Sequence, residues 1–225
     1  MKAVFFDFDG TLTSKGPNIW KSIWQACGYD VDKNSYYYKF FLNFINNKIT
    51  HKQWCRLTFD KFAEAGLTEK MVNDLADNIK LIDGLTETLQ SLKNNGYSLH
   101  IVSGNIISVI ERALKENINY FDSVNANKLV FKDGIIDKII GTNYDFEGKS
   151  RFIYEFKEKT KSSGEELVFV GNGGNDEWAY LAGCKTICVN PDDVEFENNI
   201  KWNVNKGNIT NLSEILDDIV LNKEK

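Results

Sequence analysis

Positive charge, proline, histidine, methionine and paired cysteines are all in short supply in this chain of 225 residues. Lys and Arg number 27 against 32 Asp and Glu, leaving a formal net charge of −5. That balance argues against nucleic acid or an anionic membrane surface as a main partner. The four cysteines, Cys27, Cys55, Cys184 and Cys188, show neither Cys-x-x-Cys nor finger spacing, which removes the metal-finger classes. Cys184 and Cys188 lie in an apolar, strand-like stretch and are read as buried thiols. No stretch approaches the length of a membrane span. "MKAVFF" meets its first aspartate before an apolar leader could form, so no targeting signal is read there. There is no internal repeat, and only the tail "NKEK" looks loose. The expectation is a soluble, reduced, cytoplasmic protein. Its 42% hydrophobic content suffices for one domain plus a small second one.

What the chain does have begins at once. "AVFFDFDGTLT" runs an apolar strand into Asp7, skips one residue to Asp9 and turns at Gly10. Alternate side chains of a strand share a face, so the two carboxylates would point together. Like charges held that close repel, and burial makes the repulsion worse. A divalent cation held by oxygen ligands is the usual compensation.

The first strand is expected over 3–8. From Ser14 to about Asn78 the pattern is helical. Ile19, Trp20, Ile23, Trp24 and Cys27 share one face, and Tyr37, Phe40, Phe41, Phe44 and Ile45 another. Thr50 with Gln53 has capping-box form, and Thr68 suits an N-cap. "SKGPN" and "IDG" would be the hinges of this insert. Trp20, Trp24 and Trp54 read as its core, and His51 and His100 as structural. Beyond residue 84 strands alternate with helices: "YSLHIVS", a hairpin around Asp133-Gly134, "ELVFVG" and "KTICVN", with helices between them, one beginning near Asp176 and the last opened by Asn211 with Glu214. Such alternation means a parallel sheet covered on both faces. The expected fold is therefore α/β: a Rossmann-like, doubly wound core from 1–13 and 80–225, with a small all-helical domain inserted at 14–79.

In such sheets ligands bind beyond the carboxyl ends of the strands. Asp7 and Asp9, then Ser103 of "VSGN", then Asn172, Asn175 and Asp176 of "VGNGGND" all fall at strand ends, while Asn105 starts the helix after "VSGN" and Lys149 begins another. Backbone amides at a helix start suit a phosphate, a lysine adds a point charge, and a carboxylate beside a cation suits attack on phosphorus. "DFDGTLT", "VSGN", Lys149 and "GNGGND", in this order, resemble the four motifs of the haloacid dehalogenase superfamily of phosphatases. The helical insert after the first motif is similar to the C1 cap of its phosphoserine phosphatase-like branch. "ANKLVFKDGII" also resembles a segment that precedes the motif-three lysine there. The resemblance covers nearly the whole chain.

The resemblance implies a Mg²⁺-dependent phosphomonoester hydrolase acting on a small phosphorylated metabolite through an aspartyl-phosphate. Asp7 would be the nucleophile and Asp9 the general acid, then the base. The Asp7 side chain, the Asp9 carbonyl and residue 172 would hold Mg²⁺, with Asp176 in support. Thr11 would orient Asp9, while Ser103, Gly104, Asn105 and Asn175 would surround the phosphate and Lys149 would neutralise charge. Arg56 of "QWCR" resembles a substrate-binding cap arginine. Two departures stand out. The family motif has Asp where this chain has Asn172, which lowers the expected metal affinity. "SKGPNIWK" also lacks the glutamate implied to hold a substrate amine, so no marked preference for phosphoserine is expected. The alternative is a catalytically weakened relative that binds a phosphorylated ligand as a regulatory module; a phosphotransferase or phosphonate-processing enzyme is a minor third reading. Oligomeric state is not readable from the sequence.

Overall fold

The computed structural model describes residues 1–192 and 202–220, so the expectation for the tail "NKEK" lies outside the described residues. Strand β1 (Ala3–Phe6) is apolar and buried along its whole length. It lies between β2 (Ser98–Ile106) and β5 (Leu167–Gly171), parallel to both, in a seven-stranded sheet ordered β4-β3-β2-β1-β5-β6-β7. β3 (Ser123–Lys132), β6 (Lys185–Cys188) and β7 (Val204–Asn205) continue the parallel set. Among the described residues only β4 (Ile135–Ile140) is an antiparallel strand of this sheet, pairing with β3 as the outer half of a hairpin.

The two faces of β1 show why the sheet is covered on both sides. Val4 and Phe6 join Leu99 and Ile101 under helix α5 (Leu85–Asn94) and helix α6 (Ile107–Leu114), whereas Ala3 and Phe5 join Phe169 under α7 (Glu147–Thr160). Each such fully buried Phe contributes about 1.5–3 kcal/mol. His100, stacked on Phe5 and bonded through Nδ1 to Ser123 Oγ at 2.9 Å, belongs to this packing, as expected.

The helical insert comprises α1 (Ile19–Ala26), α2 (Tyr36–Ile45), α3 (His51–Glu64) and α4 (Glu69–Asp77). Each has a polar N-cap accepting from its first turn: Asn18, Ser35, Thr50 and Thr68, with a complete Thr50–Gln53 capping box. The chain leaves and re-enters the α/β body side by side: Ser14 N donates to Lys80 O at 2.9 Å and Ile82 N to Leu12 O at 3.1 Å. Trp24 sits at the centre, edge-on to Tyr29, Phe40 and Phe62. This apolar cluster is continuous with Ile106, Val109, Leu129 and Ile136, so the insert packs on the β3–β4 hairpin and α6.

Some elements depart from the sequence expectation. β1 ends at Phe6 rather than residue 8, because the Phe8 carbonyl turns to accept from the amides of Thr11, Leu12 and Thr13. β2 runs past Ser103 to Ile106, since Asn127 Nδ2 bonds the carbonyls of Gly104 and Asn105 and holds them extended. The helix expected near Asp176 is a 3₁₀ helix, Glu177–Ala182, stopped by Gly183 at φ +71°. The last helix starts as a 3₁₀ turn, Leu212–Ile215, before α8 (Leu216–Val220).

Candidate active site

The parallel strands aim their carboxyl ends at one place. The Asp7 amide still donates to Val170 O at 2.9 Å, extending the ladder by one bond and placing Asp7 level with the end of β5. Lys149, in the first turn of α7, is fully buried and donates to Asp7 Oδ1 at 3.1 Å and to Asp176 Oδ1. The second Asp176 oxygen accepts from the amides of Asn172 and Gly173, each at 2.9 Å. Lys149 and Asp176 thus tie the "GNGGND" loop to the nucleophile candidate. The Oδ2 of Asp7 has no protein partner among the described residues.

Asp9 is held from a different side. Its Oδ2 accepts from Asn105 Nδ2 at 2.9 Å, and the backbone N–H of Asn105 donates to Ser103 Oγ at 3.1 Å. Ser103 and Asn105 are both buried. Thr11, expected to orient Asp9, has a buried Oγ1 with no hydrogen-bond partner among the described residues; Asn105 bonds the Asp9 carboxylate instead. Asn172 lies against Gly10, where a Cβ would come within 2.2 Å of its Nδ2, and Gly10 has φ +69°. Only glycine combines that backbone with that approach. Asn175 donates to Asp145 at 3.1 Å. Arg56 stands apart on α3, largely exposed and paired with Asp60 at 3.0 Å.

Three of these side chains were not foreseen. Asn190 follows β6, has φ +48° and donates to Gly10 O at 3.2 Å; its place at a strand end was the signal available. Trp20, read only as insert core, also donates from its indole to Gly104 O at 2.8 Å, linking the insert to the phosphate-loop candidate. Asp145 carries no motif at all.

The electrostatics follow from burial. The carboxyl of half-buried Asp9 is pushed up to about 7, first by loss of water and then by Asp7; Asn105 and Lys149 oppose the shift. Asp176 is also pushed up to about 7, by burial and then by Asp7. Burial alone would lower Lys149, but Asp176 and Asp7 outweigh it and hold the ammonium well above its ordinary value. Three carboxylates therefore face one ammonium. That surplus negative charge fits a divalent cation, with the Asp7 side chain, the Asp9 carbonyl and the Asn172 amide oxygen as hard donors. Among the described residues, no group of three or more His, Cys, Asp or Glu side chains is placed to hold a metal.

A pH dependence follows. Carboxyls raised in the folded state bind protons that the unfolded chain has released, so their contribution is full below about pH 4 and is lost as pH rises towards 7. His100, lowered to about 4 by burial, acts in the opposite direction as pH falls below its ordinary value. Comparing Mg²⁺ with chelator at each pH cancels the histidine. The rise in melting temperature on adding Mg²⁺ is expected to be larger at pH 8 than at pH 5.5. An equal rise at both would detach these carboxyls from metal binding.

A doubly wound sheet with an acidic pair closing its central strand, a buried lysine and a glycine-rich loop defines a phosphate-handling class of α/β proteins. The model of the haloacid dehalogenase-like hydrolases matches residues 1–182, and the chain belongs to that family. It is 30% identical over 199 residues to the phosphoserine phosphatase of Methanocaldococcus jannaschii, covering 84% of this chain and 87% of that one. It is 31% identical over 113 residues to phosphoserine phosphatase SerB2 of Mycobacterium tuberculosis, covering 50% of this chain; that match spans only 27% of the relative. A solved structure described as a phospho-aspartyl intermediate analogue of phosphoserine phosphatase superposes with TM-score 0.73 at 25% identity, over 97% of this chain and 98% of that one.

Proposed function

We propose that this protein is a Mg²⁺-dependent phosphomonoester hydrolase acting on a small phosphorylated metabolite in the cytoplasm. Four free cysteines, two of them buried, fit a reducing compartment. The observation that carries the reading is the division of labour between two adjacent carboxylates. Asp7 is fixed through Oδ1 by Lys149 and keeps Oδ2 for in-line attack on phosphorus, giving an aspartyl-phosphate. Asp9, with its carboxyl pushed up to about 7, can give a proton to the leaving oxygen and then take one from water. The Ser103 hydroxyl and the Gly104 amide bind the phosphoryl oxygens, and Lys149 offsets their charge. Mg²⁺, held by Asp7, the Asp9 carbonyl and Asn172, would supply Lewis-acid stabilisation of the transferring group. Both oxygens of Asp176 are engaged, so its support of the metal runs through the loop carrying Asn172. The insert, residues 14–79, acts as a cap over the leaving group. The test is phosphate release from a panel of phosphomonoesters with Mg²⁺ and with chelator. Mg²⁺-dependent release is expected; tight binding without release would favour the regulatory reading, which Asn172 alone recommends.

Asn172 gives a second test. Mg²⁺ gains most from charged oxygens, so Asn172→Asp is expected to lower the Mg²⁺ concentration for half-maximal rate and raise kcat/KM by roughly ten- to a hundredfold, about 1.4–2.8 kcal/mol. If neither changes, residue 172 is not a ligand.

A further inference from the structure

The helical insert makes a direct hydrogen bond to the stretch between Ser103 and Asn105. Trp20 lies in the first turn of α1, whose start is fixed by Asn18 Oδ1 accepting from the Lys21 amide at 3.0 Å. Its indole stacks on Phe62 with the ring planes 16° apart, and its Nε1–H reaches out of the insert to Gly104 O at 2.8 Å. From the body, Asn127 Nδ2 donates to the same oxygen at 2.6 Å, and Asn127 Oδ1 is itself held by the Thr142 amide at 2.8 Å. The carbonyl is therefore gripped by one donor from each part of the molecule.

What that grip fixes follows from the planarity of the peptide. In a trans peptide the N–H points opposite to the carbonyl, so holding Gly104 C=O sets the direction of Asn105 N–H. That N–H donates to Ser103 Oγ at 3.1 Å. A hydroxyl has one hydrogen to give and two lone pairs. With one lone pair taken by Asn105, the buried Ser103 hydroxyl keeps its hydrogen for a phosphoryl oxygen. The bland reading is that a half-buried indole has merely found an acceptor. Gly104 O already accepts from Asn127, however, so the indole adds restraint to a carbonyl that is satisfied without it.

On the phosphatase reading above, we propose that Trp20 is a positioning residue for the phosphoryl group: its indole N–H locks the Gly104–Asn105 peptide, and through it the Ser103 hydroxyl, when the insert is seated on the body. Trp20 itself touches no reacting atom. The phosphate site is then complete only with the insert in place, because one of the two donors that fix the loop belongs to the insert.

A double-mutant cycle with Ser103 separates positioning from packing. Trp20→Phe keeps a ring against Phe62 and deletes the donor. Incorporating 3-benzothienylalanine at position 20 deletes the N–H alone, and it carries the test if the phenylalanine variant is poorly folded. In the full chain with Mg²⁺, each replacement is expected to lower kcat/KM for glycerol phosphate and p-nitrophenyl phosphate by about three- to tenfold, the weight of one neutral hydrogen bond. Calorimetric affinity for inorganic phosphate should fall by a similar factor. In a Ser103→Ala background the same replacements should change each quantity by less than about twofold, since the group they position is gone. An equal factor in both backgrounds, or no loss with 3-benzothienylalanine, overturns the assignment and leaves Trp20 as packing. Phosphate binding without hydrolysis of either ester would overturn the phosphatase reading, while the phosphate affinities still decide the role of Trp20. No phosphate binding by the native protein would overturn both.

Discussion

Asp7→Asn is expected to abolish turnover while leaving a folded protein. The attacking atom of the proposed reaction is the Asp7 carboxylate oxygen not bonded to Lys149. An amide in its place is nearly the same shape but a far weaker nucleophile, and it also removes the one charged side chain offered to the metal. A fall in kcat of about a thousandfold or more, over ~4 kcal/mol of transition-state stabilisation, is expected on every phosphomonoester, good or poor leaving group alike. Far-ultraviolet circular dichroism and the melting transition should stay close to native, because Asp7 packs against no apolar cluster and Lys149 retains Asp176. Retention of near-native activity by Asp7→Asn with Mg²⁺ would remove the mechanism.

The second large effect is on stability. Lys149 is the ammonium that answers two buried carboxylates, and it is itself entirely shut off from water. Lys149→Met keeps the unbranched stem, one atom shorter, and deletes the charge, leaving Asp7 and Asp176 facing each other uncompensated. Removing one partner from a buried ionic group typically costs about 3–5 kcal/mol, and denaturant unfolding at pH 8 with chelator should show a loss of that order. The loss is expected to shrink at pH 5.5, where the raised Asp176 carboxyl can take up a proton. Adding Asp176→Asn to Lys149→Met should restore part of the stability, since it removes one of the stranded charges. A Lys149→Met protein as stable as native at pH 8 would mean that this ion triad contributes nothing to the fold.

How much of this was legible in the sequence depends on how local the signal is. Asp133 and Gly134 both take positive φ, +51° and +79°, so the hairpin followed from two residues whose chemistry suits that turn. The caps at Thr50 and Thr68 each span four consecutive residues and were equally readable. The clustering of Asp7, Ser103, Asn172 and Asp176 followed from one topological rule about strand ends. What escaped depends on distant partners. Nothing in "FEGKSRF" says that its lysine is fully buried, because the carboxylates that balance it come from residues 7 and 176. Asn105 was read as a free amide at a helix start, but Asn127 keeps it in an extended strand and turns its side chain to Asp9. Asp145 meets Gly104 and Asn175 only through tertiary folding, from a loop with no recognisable pattern.

The central claim is that Asp7 becomes transiently phosphorylated. Its most direct test is rapid acid quench of the native protein during turnover with Mg²⁺, followed by reduction with borohydride and peptide mass spectrometry. Borohydride converts an acyl phosphate to an alcohol, so the peptide bearing "AVFFDFDGTLT" is expected to carry homoserine at position 7 and unmodified aspartate at position 9. The same treatment of Asp7→Asn should give no such product. Reduction at Asp9, or turnover with no acyl phosphate detected at Asp7 under quench conditions that trap other acyl phosphates, would contradict the account.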